Sequence, residues 1–235
     1  GENFRPLQTL VQIPFYNCSD NRFFTIKIVI NMARTHSRSF GNLCHACTMK
    51  TMIAKTKARA YKLFKKKLKD RLLVQAACDR LLADTTGAGV ARADLIIEAV
   101  FENLEVKQEL FKKIEKFAKK GALLATNTSS IPLDEISRVM QQPERLVGIH
   151  FFNPPRYMPL IELIPSSKTE RAVLTALETF LVSGLGKSVI EAKDTPNFVA
   201  NRIGVFSMMA VLEYAEKFNI PFEVVDQLTG KNLGR

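Results

Sequence analysis

The residues best suited to chemistry lie between positions 127 and 162. His150 ends an apolar run, and Glu162 follows it twelve residues later. Ser129 precedes His150 by twenty-one residues, and Asn153 follows it by three. An imidazole titrates near neutral pH, so it accepts and returns a proton readily. An imidazole, a carboxylate, a hydroxyl and an amide together indicate a site that oxidises a hydroxyl or reduces a carbonyl.

Each of these residues also has a purely structural interpretation. A lone histidine at a strand end more often belongs to the core, but the spaced carboxylate here favours a site. Glu162 lies in the apolar run 160–164, where a carboxylate must be paired or exposed, so His150 is its natural partner. Ser130 is predicted to cap a helix that begins at Pro132.

Short apolar runs alternate with helical patterns along most of the chain. Buried strands are predicted at 23–30 and 93–100, and further strands at 123–126, 146–152, 160–164 and 187–191. Helices are predicted at 51–82, with a break near residues 69 and 70, and at 104–117, 132–140 and 170–185. Asn103 is a candidate cap of the second of these. Strands alternating with helices predict a mostly parallel, doubly wound sheet.

The pattern changes at Pro196. Apolar residues spaced through 198–215 predict a long buried helix, and a shorter helix ends near Gly230. The fold class is therefore α/β, a Rossmann-like doubly wound sheet followed by the start of an all-helical domain. We place the first domain at 1–192, with 1–51 atypical, and the beginning of a truncated helical domain at 193–235. Its apolar surface is expected to be exposed or covered in a homodimer.

Composition narrows the class of protein. With 235 residues and 46% hydrophobic residues, the chain buries a substantial core. No apolar run approaches the roughly 18 residues of a membrane span, and the first residues carry no signal-peptide pattern. Cys44 and Cys47 form a C-x-x-C without a second pair, so no metal site is predicted. The cysteine pattern favours a reduced, cytoplasmic protein.

Positive charge is concentrated in one segment. The net charge is +11, and residues 50–69 contain nine Lys or Arg and no acid. Such a segment attracts phosphates, which leaves nucleic acid, an anionic membrane and a phosphorylated carrier such as coenzyme A open on charge alone. The aromatic interleaving and modules of nucleic-acid-binding proteins are missing. We therefore expect neither nucleic acid nor a membrane as partner.

Four motifs follow one another in the order and spacing of a known family. They are ADLIIEAVFENLEVKQELF, ATNTSSIPL, RLVGIHFFNPPRYMPLIELIP and AKDTPNFVANRIG. The region from about residue 55 to 235 resembles the NAD-dependent 3-hydroxyacyl-CoA dehydrogenases of bacterial fatty-acid β-oxidation. The resemblance implies oxidation of (S)-3-hydroxyacyl-CoA to 3-ketoacyl-CoA, with NAD as cofactor and acyl-CoA as partner.

The resemblance also implies roles for the catalytic residues. His150 matches the general base, which takes the 3-hydroxyl proton while hydride leaves C3. Glu162 matches the carboxylate that pairs with the imidazole and stabilises its charged form. Ser129 matches a hydrogen-bond partner of the substrate oxygen, and Asn201 a residue that polarises the product carbonyl.

Cofactor contacts are implied in the same way. Glu102, Lys107 and Ser129 match positions that touch NAD, and Asn153 matches a contact on the nicotinamide side. The basic helix, residues 55–69, matches the segment that meets the coenzyme A phosphates. For Glu102, Lys107 and the basic helix, an ordinary solvated surface is the alternative.

The glycine-rich fingerprint of a dinucleotide fold is missing where it is needed. After the first strand, 25–30, no glycine occurs before Gly41, although the fingerprint must follow that strand directly. Gly87 and Gly89 precede a predicted strand instead of following one. The acid expected about 20 residues beyond the fingerprint is also missing, since residues 43–52 contain neither Asp nor Glu.

Two explanations of the segment 31–51 remain open. One is a frameshift, because back-translation permits an apolar-aromatic-Asp-Glu-Asn run there; the other is a divergent loop. Either way, we expect weak NAD binding and impaired dehydrogenase activity. The alternatives are a non-catalytic acyl-CoA-binding remnant and a basic nucleic-acid-binding protein.

Overall fold

A computed structural model describes residues 9–17, 22–30, 42–84 and 87–230 of the chain. Within these ranges the strands form one eight-stranded sheet in the order β3-β1-β2-β4-β5-β6-β7-β8. The strands are β1 Thr9–Asn17, β2 Arg22–Ile30, β3 Leu82–Asp84, β4 Leu95–Ala99, β5 Leu123–Thr126, β6 Leu146–Phe151, β7 Leu160–Pro165 and β8 Ser188–Glu191. The helices are α1 Asn42–Leu68, α2 Arg71–Asp79, α3 Leu104–Phe117, α4 Leu133–Ser137, α5 Arg171–Thr179, α6 Ala200–Lys217 and α7 Phe222–Thr229.

The centre of the sheet is parallel, as predicted. Strands β2, β4, β5 and β6 run parallel to one another, and helices connect β4 to β5 and β5 to β6. At one side β7 pairs antiparallel with β6 and parallel with β8. At the other side β1 pairs antiparallel with both β2 and β3. The sheet is therefore mixed, and the Rossmann-like α/β class followed by helices is confirmed.

Alternating apolar residues bury both faces of the sheet. Ile96 and Leu124 pack with Phe111 of α3 on one face. Leu95 and Ile97, the neighbours of Ile96 in β4, pack on the other face in the cluster that contains residues of α5. Because successive strand residues point to opposite faces, the side chains of β4 contribute to the hydrophobic cores on both faces of the sheet. This arrangement holds the carboxyl ends of the strands rigidly.

Two predicted helix boundaries are confirmed. Lys69 has a left-handed backbone, with φ of 58°, and separates α1 from α2. Asp70 caps α2 by accepting from the amides of Leu72 and Leu73. The side chain of Asn103 caps α3 by accepting from Val106 N at 2.9 Å, as an asparagine at this position should.

Ser130 is not the cap of α4, so that prediction is wrong. The first amides of α4, those of Leu133 and Asp134, instead donate to the carboxylate of Asp194 at 2.9 and 3.1 Å. A carboxylate suits this position because it meets the positive end of the helix. Ser130 has another partner, which is the carboxylate of Glu102.

The long helix predicted after residue 196 is present as α6, but it is not buried. Among its residues only Ala215 is buried, while Phe206 is 74% exposed and Leu212 is 40% exposed. Over the described residues, α6 packs mainly against α7 and through its first turn. The predicted burial of this helix is therefore wrong, whereas exposure was one of the two outcomes predicted for the apolar surface of the helical domain. No helix of the described ranges is both long and apolar enough to cross a membrane.

The missing fingerprint falls on residues 31–41, outside the described ranges. Gly87 and Gly89 lie before β4, where their amides donate to the carboxylate of Asp84 at 2.8 and 2.7 Å. They therefore shape the turn between β3 and β4, which is not the position of a fingerprint after the first parallel strand.

Candidate active site

The carboxyl ends of β5 and β6 bring two predicted site residues to one edge of the sheet. These strands are parallel, with Thr126 paired to Gly148, so Ser129 and His150 both lie just past the paired residues. Asn127 ties the two ends together, because its side-chain oxygen accepts from Phe151 N at 3.0 Å. Ligand sites of open α/β sheets form at this edge.

His150 and Glu162 make direct contact. The register of β6 with β7 pairs these residues across the antiparallel ladder, so their side chains share one face. His150 Nδ1 is 2.6 Å from Glu162 Oε2, and both side chains are buried. The contact inferred from an unpaired carboxylate in an apolar strand is confirmed.

The other oxygen of Glu162 meets the start of α6. Oε1 accepts from Val199 N at 2.9 Å and from Ala200 N at 2.8 Å. These amides belong to the positive end of the helix, which stabilises the carboxylate anion. An ionised carboxylate only accepts, so we assign the Nδ1 proton to His150. Its Nε2 then carries a free lone pair.

Two aromatic rings surround the imidazole. The ring centroids of Phe152 and Phe198 lie 4.7 and 5.5 Å from that of His150. Phe198 is almost wholly buried, and it follows Asn197 in a left-handed turn, with φ of 50° and 65°. Strained backbone of this kind persists where the surroundings enforce it. The apolar rings lower the local polarity, which strengthens the interaction of His150 with Glu162.

Asn153 lies between His150 and Glu162 in the sequence, and Asn201 lies beyond Glu162 at the start of α6. Asn201 is half-buried in the first turn of α6, next to Ala200. Asn153 is exposed in the segment that follows β6. Asn153 therefore follows the strand that carries His150, and Asn201 follows the amides that bind Glu162. Within the described residues, neither asparagine forms a hydrogen bond with His150 or Glu162.

Glu102 organises the turn that carries Ser129. Its Oε1 accepts from Thr128 Oγ1 at 2.5 Å, Ser129 N at 3.0 Å, and both N and Oγ of Ser130, at 3.2 and 3.0 Å. Burial raises the pKa of Glu102, but the Thr128 hydrogen bond, the charge of Lys107 and the Ser129 amide together bring the pKa below its ordinary value. The carboxylate is thus charged, and its Oε1 is committed to the turn.

Lys107 is buried, so its interpretation as part of a solvated helix start is wrong. Its Nζ is 2.7 and 2.9 Å from the two oxygens of Glu98 and 3.3 Å from Glu102 Oε2. Glu98 also accepts from Thr126 Oγ1 at 2.6 Å and Val100 N at 2.5 Å. Neither side chain of the Glu98–Lys107 pair is exposed to more than 1%.

Glu98 is the residue that the sequence analysis missed. It lies within the apolar run of β4, just as Glu162 lies within that of β7. The rule that pointed from Glu162 to His150, that a carboxylate in an apolar strand needs a partner, also applies to Glu98. The corresponding partner, Lys107, lies one turn into the next helix.

The remaining candidate groups are metal ligands and the basic side chains of α1. Nowhere in the described part of the chain do three or more His, Cys, Asp or Glu side chains come together to hold a metal. The lysines of α1 from Lys55 to Lys67 are exposed, so the helix presents a positive surface. The side chains of Cys44 and Cys47 lie outside the described residues.

Known proteins resemble this chain in sequence. The family model of the 3-hydroxyacyl-CoA dehydrogenase NAD binding domain matches residues 43–195, more than half of the chain. A probable 3-hydroxyacyl-CoA dehydrogenase of Deinococcus radiodurans is 44% identical over 144 residues, which are 60% of this chain and 42% of that protein. The human mitochondrial hydroxyacyl-coenzyme A dehydrogenase is 35% identical over 179 residues, which are 74% of this chain and 56% of that protein.

A solved structure agrees with these matches. The crystal structure of (S)-3-hydroxybutyryl-CoA dehydrogenase from Ralstonia eutropha superposes with a TM-score of 0.68 at 30% identity, covering 78% of this chain and 65% of that one. The chain spans less than half of the Deinococcus relative and just over half of the human one. On sequence, family model and fold together, the chain belongs to the 3-hydroxyacyl-CoA dehydrogenase family and contains its NAD-binding domain.

Proposed function

We propose that the chain supports oxidation of (S)-3-hydroxyacyl-CoA to 3-ketoacyl-CoA. The observation that carries the proposal is the buried contact of His150 with Glu162 at the carboxyl edge of the sheet. NAD, when bound, accepts the hydride that leaves C3 of the substrate. The chain's own residues then need to remove one proton, bind one oxygen and hold the reactants in place.

His150 removes the proton in this proposal. Its Nε2 lone pair takes the proton of the 3-hydroxyl, which makes the ring an imidazolium. Glu162 stabilises that charge through Nδ1, while Val199 N and Ala200 N keep the carboxylate oriented. The two neighbouring phenylalanine rings keep water from competing for the same proton.

Ser129 and Asn201 bind the reacting oxygen in this proposal. Ser129 lies in the turn past β5, beside the end of β6, so its hydroxyl can approach the oxygen that His150 deprotonates. Asn201 lies one residue past the amides that bind Glu162, and its side-chain NH₂ polarises the forming carbonyl in this proposal.

The residues at the ends of β4 and β5 suit a dinucleotide. Glu102 is 35% exposed and charged, so it can accept hydrogen bonds from cofactor hydroxyls. We propose that Glu102, Ser129 and Asn153 contact NAD, and that Lys107 contributes from its buried position beside Glu102. The exposed lysines of α1 are proposed to meet the coenzyme A phosphates.

NAD binding is nevertheless proposed to be weak. In a doubly wound sheet the strand beside the first parallel strand runs parallel to it and ends near the ribose. Here that position belongs to β1, which is antiparallel to β2 and places Thr9, not an acid, beside Ile30. The missing glycines at 31–41 act in the same direction. We therefore propose that the activity is impaired.

The decisive experiment separates an enzyme from an acyl-CoA-binding remnant. Titration with NADH and, separately, with an acyl-CoA should give binding of both if the chain is a dehydrogenase. Binding of acyl-CoA alone supports the remnant. Turnover is then measured by NADH absorbance with an (S)-3-hydroxyacyl-CoA, using His150→Gln as the control; equal turnover in both proteins rejects the proposed mechanism.

We further propose a homodimer through α6 and α7. Ile203, Phe206, Met209, Phe218 and Phe222 are exposed on these helices, and an apolar surface of this kind favours association. Sedimentation of the parent and of Phe206→Glu tests this: a dimer that becomes a monomer supports it, and a parent that stays monomeric rejects it.

A cytoplasmic location is the final element of the proposal. It is supported by the absence of a disulfide framework among the four cysteine positions in the sequence. Cys78 is a free thiol in the structure. Fractionation of the native host, with the protein outside the cytoplasmic fraction, would contradict it.

A further inference from the structure

We propose that Glu98 and Lys107 form a buried positioning pair that sets Glu102 and, through it, the turn that carries Ser129. The inference deepens the proposed dehydrogenase function and rests on it for the role of Ser129. Its geometric part is independent of that role, because it concerns which groups hold the turn. Neither Glu98 nor Lys107 touches the reacting atoms, so both are positioning residues.

Lys107 lies between two carboxylates. Its ammonium is within 2.9 Å of both oxygens of Glu98 and 3.3 Å from Glu102 Oε2, and its side chain is 1% exposed. The ammonium directs its hydrogen-bond donors to these two carboxylates. Lys107 therefore acts on the site through Glu102.

Glu102 divides its two oxygens between the lysine and the turn. Oε2 faces Lys107, and Oε1 collects donors from Thr128, Ser129 and Ser130. Rotation of the carboxylate would break these contacts together, because they converge on one atom. The charge of Lys107 fixes the rotation that serves the turn, and it also helps to lower the pKa of Glu102.

Glu98, in β4, is the second carboxylate that contacts Lys107. It accepts from Thr126 Oγ1 at 2.6 Å, at the end of β5, immediately before the turn that Glu102 holds. The turn is therefore anchored at its start through Glu98 and at its tip through Glu102, with Lys107 joining the two anchors. With a neutral side chain at position 107, the carboxylate of Glu102, which binds Ser129 and Ser130, would lose the cation that orients it.

The test removes the buried charges as a pair. Loss of Lys107 alone would leave Glu98 charged and unpaired, which destabilises a fold strongly, whereas replacing both partners by neutral side chains of similar size is often tolerated. The variant is therefore Glu98→Gln with Lys107→Met in the full chain. The matched control is Arg171→Met with Glu191→Gln, which removes an exposed ion pair of 2.6 Å far from the turn.

Three measurements are made on the parent, the variant and the control. Amide hydrogen exchange of Ser129 and Ser130 should become about tenfold faster in the variant. This is the scale expected when the turn loses the contribution of one charge-assisted hydrogen bond. Their protection should also be lost at a higher pH than in the parent, because Glu102 loses the cation that lowers its pKa. The kcat should fall about tenfold with little change in the KM for acyl-CoA, as expected for a contact made in the transition state.

Two of the possible results would overturn the inference, and a third concerns the proposed function alone. A folded variant with parental exchange at Ser129 and Ser130 overturns the inference. If the double variant does not fold, Glu102→Gln replaces it, since it keeps the buried pair and removes the charge that Lys107 holds; unchanged exchange there overturns the inference as well. A parent that binds and oxidises no substrate refutes the proposed function alone, and the exchange results still decide whether the pair holds the turn.

Discussion

His150 lies directly opposite Glu162 in the antiparallel ladder of β6 and β7, with Nδ1 2.6 Å from Oε2. Two adjacent strands place these side chains on the same face without any help from a flexible loop. The twelve-residue spacing in the sequence is the length of the hairpin that joins them. A pair built into a sheet in this way is already oriented before any substrate arrives.

Replacement of His150 by glutamine should reduce turnover by about 10²-fold or more, the usual scale for a lost general base. Glutamine keeps a polar side chain of moderate size, so the β6–β7 ladder should survive. Steady-state kinetics with an (S)-3-hydroxyacyl-CoA gives the result, and circular dichroism verifies the fold. A variant as active as its parent would remove His150 from the mechanism.

Glu162→Gln should be damaging for a different reason. The amide oxygen can still accept from Val199 N and Ala200 N, but the amide NH₂ then faces Nδ1 of His150. Nδ1 must accept, which moves the ring proton to Nε2 and removes the lone pair of the base. Turnover should fall by about 10²-fold or more, whereas Glu162→Asp, which keeps the charge, should lose less. Equal losses in the two variants would argue against the tautomer assignment.

Asn103→Ala should destabilise the fold by about 1 kcal/mol, because α3 loses its side-chain cap at Val106 N. Asn103→Asp should retain most of the stability, since aspartate is an equally good cap. Urea unfolding of the three proteins compares their free energies of unfolding. If alanine and aspartate cost the same, the contact is not a stabilising cap.

Glu102 should make stability depend on pH at the acidic side. Its pKa is below the ordinary value of 4.5, so its ionised form is favoured in the folded chain. The stability it contributes is fully present above 4.5 and is lost as the pH falls through the lowered pKa. The difference in melting temperature between the parent and Glu102→Gln should therefore be largest near neutral pH and shrink in acid. A difference that grows in acid would reverse the assigned sign.

NAD should bind this chain much more weakly than it binds a relative that carries the glycine fingerprint. The expected loss includes a missing charge-assisted hydrogen bond to the ribose, which is worth roughly 1.5–3 kcal/mol. Calorimetric titration of this chain and of a relative whose sequence contains that fingerprint, under the same conditions, gives the comparison. A dissociation constant in the low micromolar range for this chain would contradict the prediction.

Much of the fold from β4 to α7 could be predicted from the sequence. Strands such as β5 and β6 have apolar runs bounded by caps and turns, so local pattern and tertiary structure agree. β1 was missed because Pro14 and Gln12 interrupt its pattern, and proline is unfavourable in most strands. Its antiparallel position also depends on pairing with β2, which no local pattern encodes.

One rule predicted part of the site: a charged side chain within an apolar strand needs a partner. That rule identified the pair of His150 with Glu162, and it could equally have identified Glu98. The burial of α6 was predicted incorrectly because periodicity shows which face is apolar but not what covers it. The cap of α4 was missed for a related reason: Asp194 lies about sixty residues away in sequence, so only the fold brings it there.

The hydrogen bonds from Val199 and Ala200 to Glu162 constrain how segments of such proteins can be exchanged. The matched domain ends at residue 195, a natural place to join a helical segment from another protein. A chimaera joined there keeps both His150 and Glu162 but inherits a foreign helix start against Glu162. The unit that must be transplanted intact therefore extends through Asn201, past the border that sequence matching assigns.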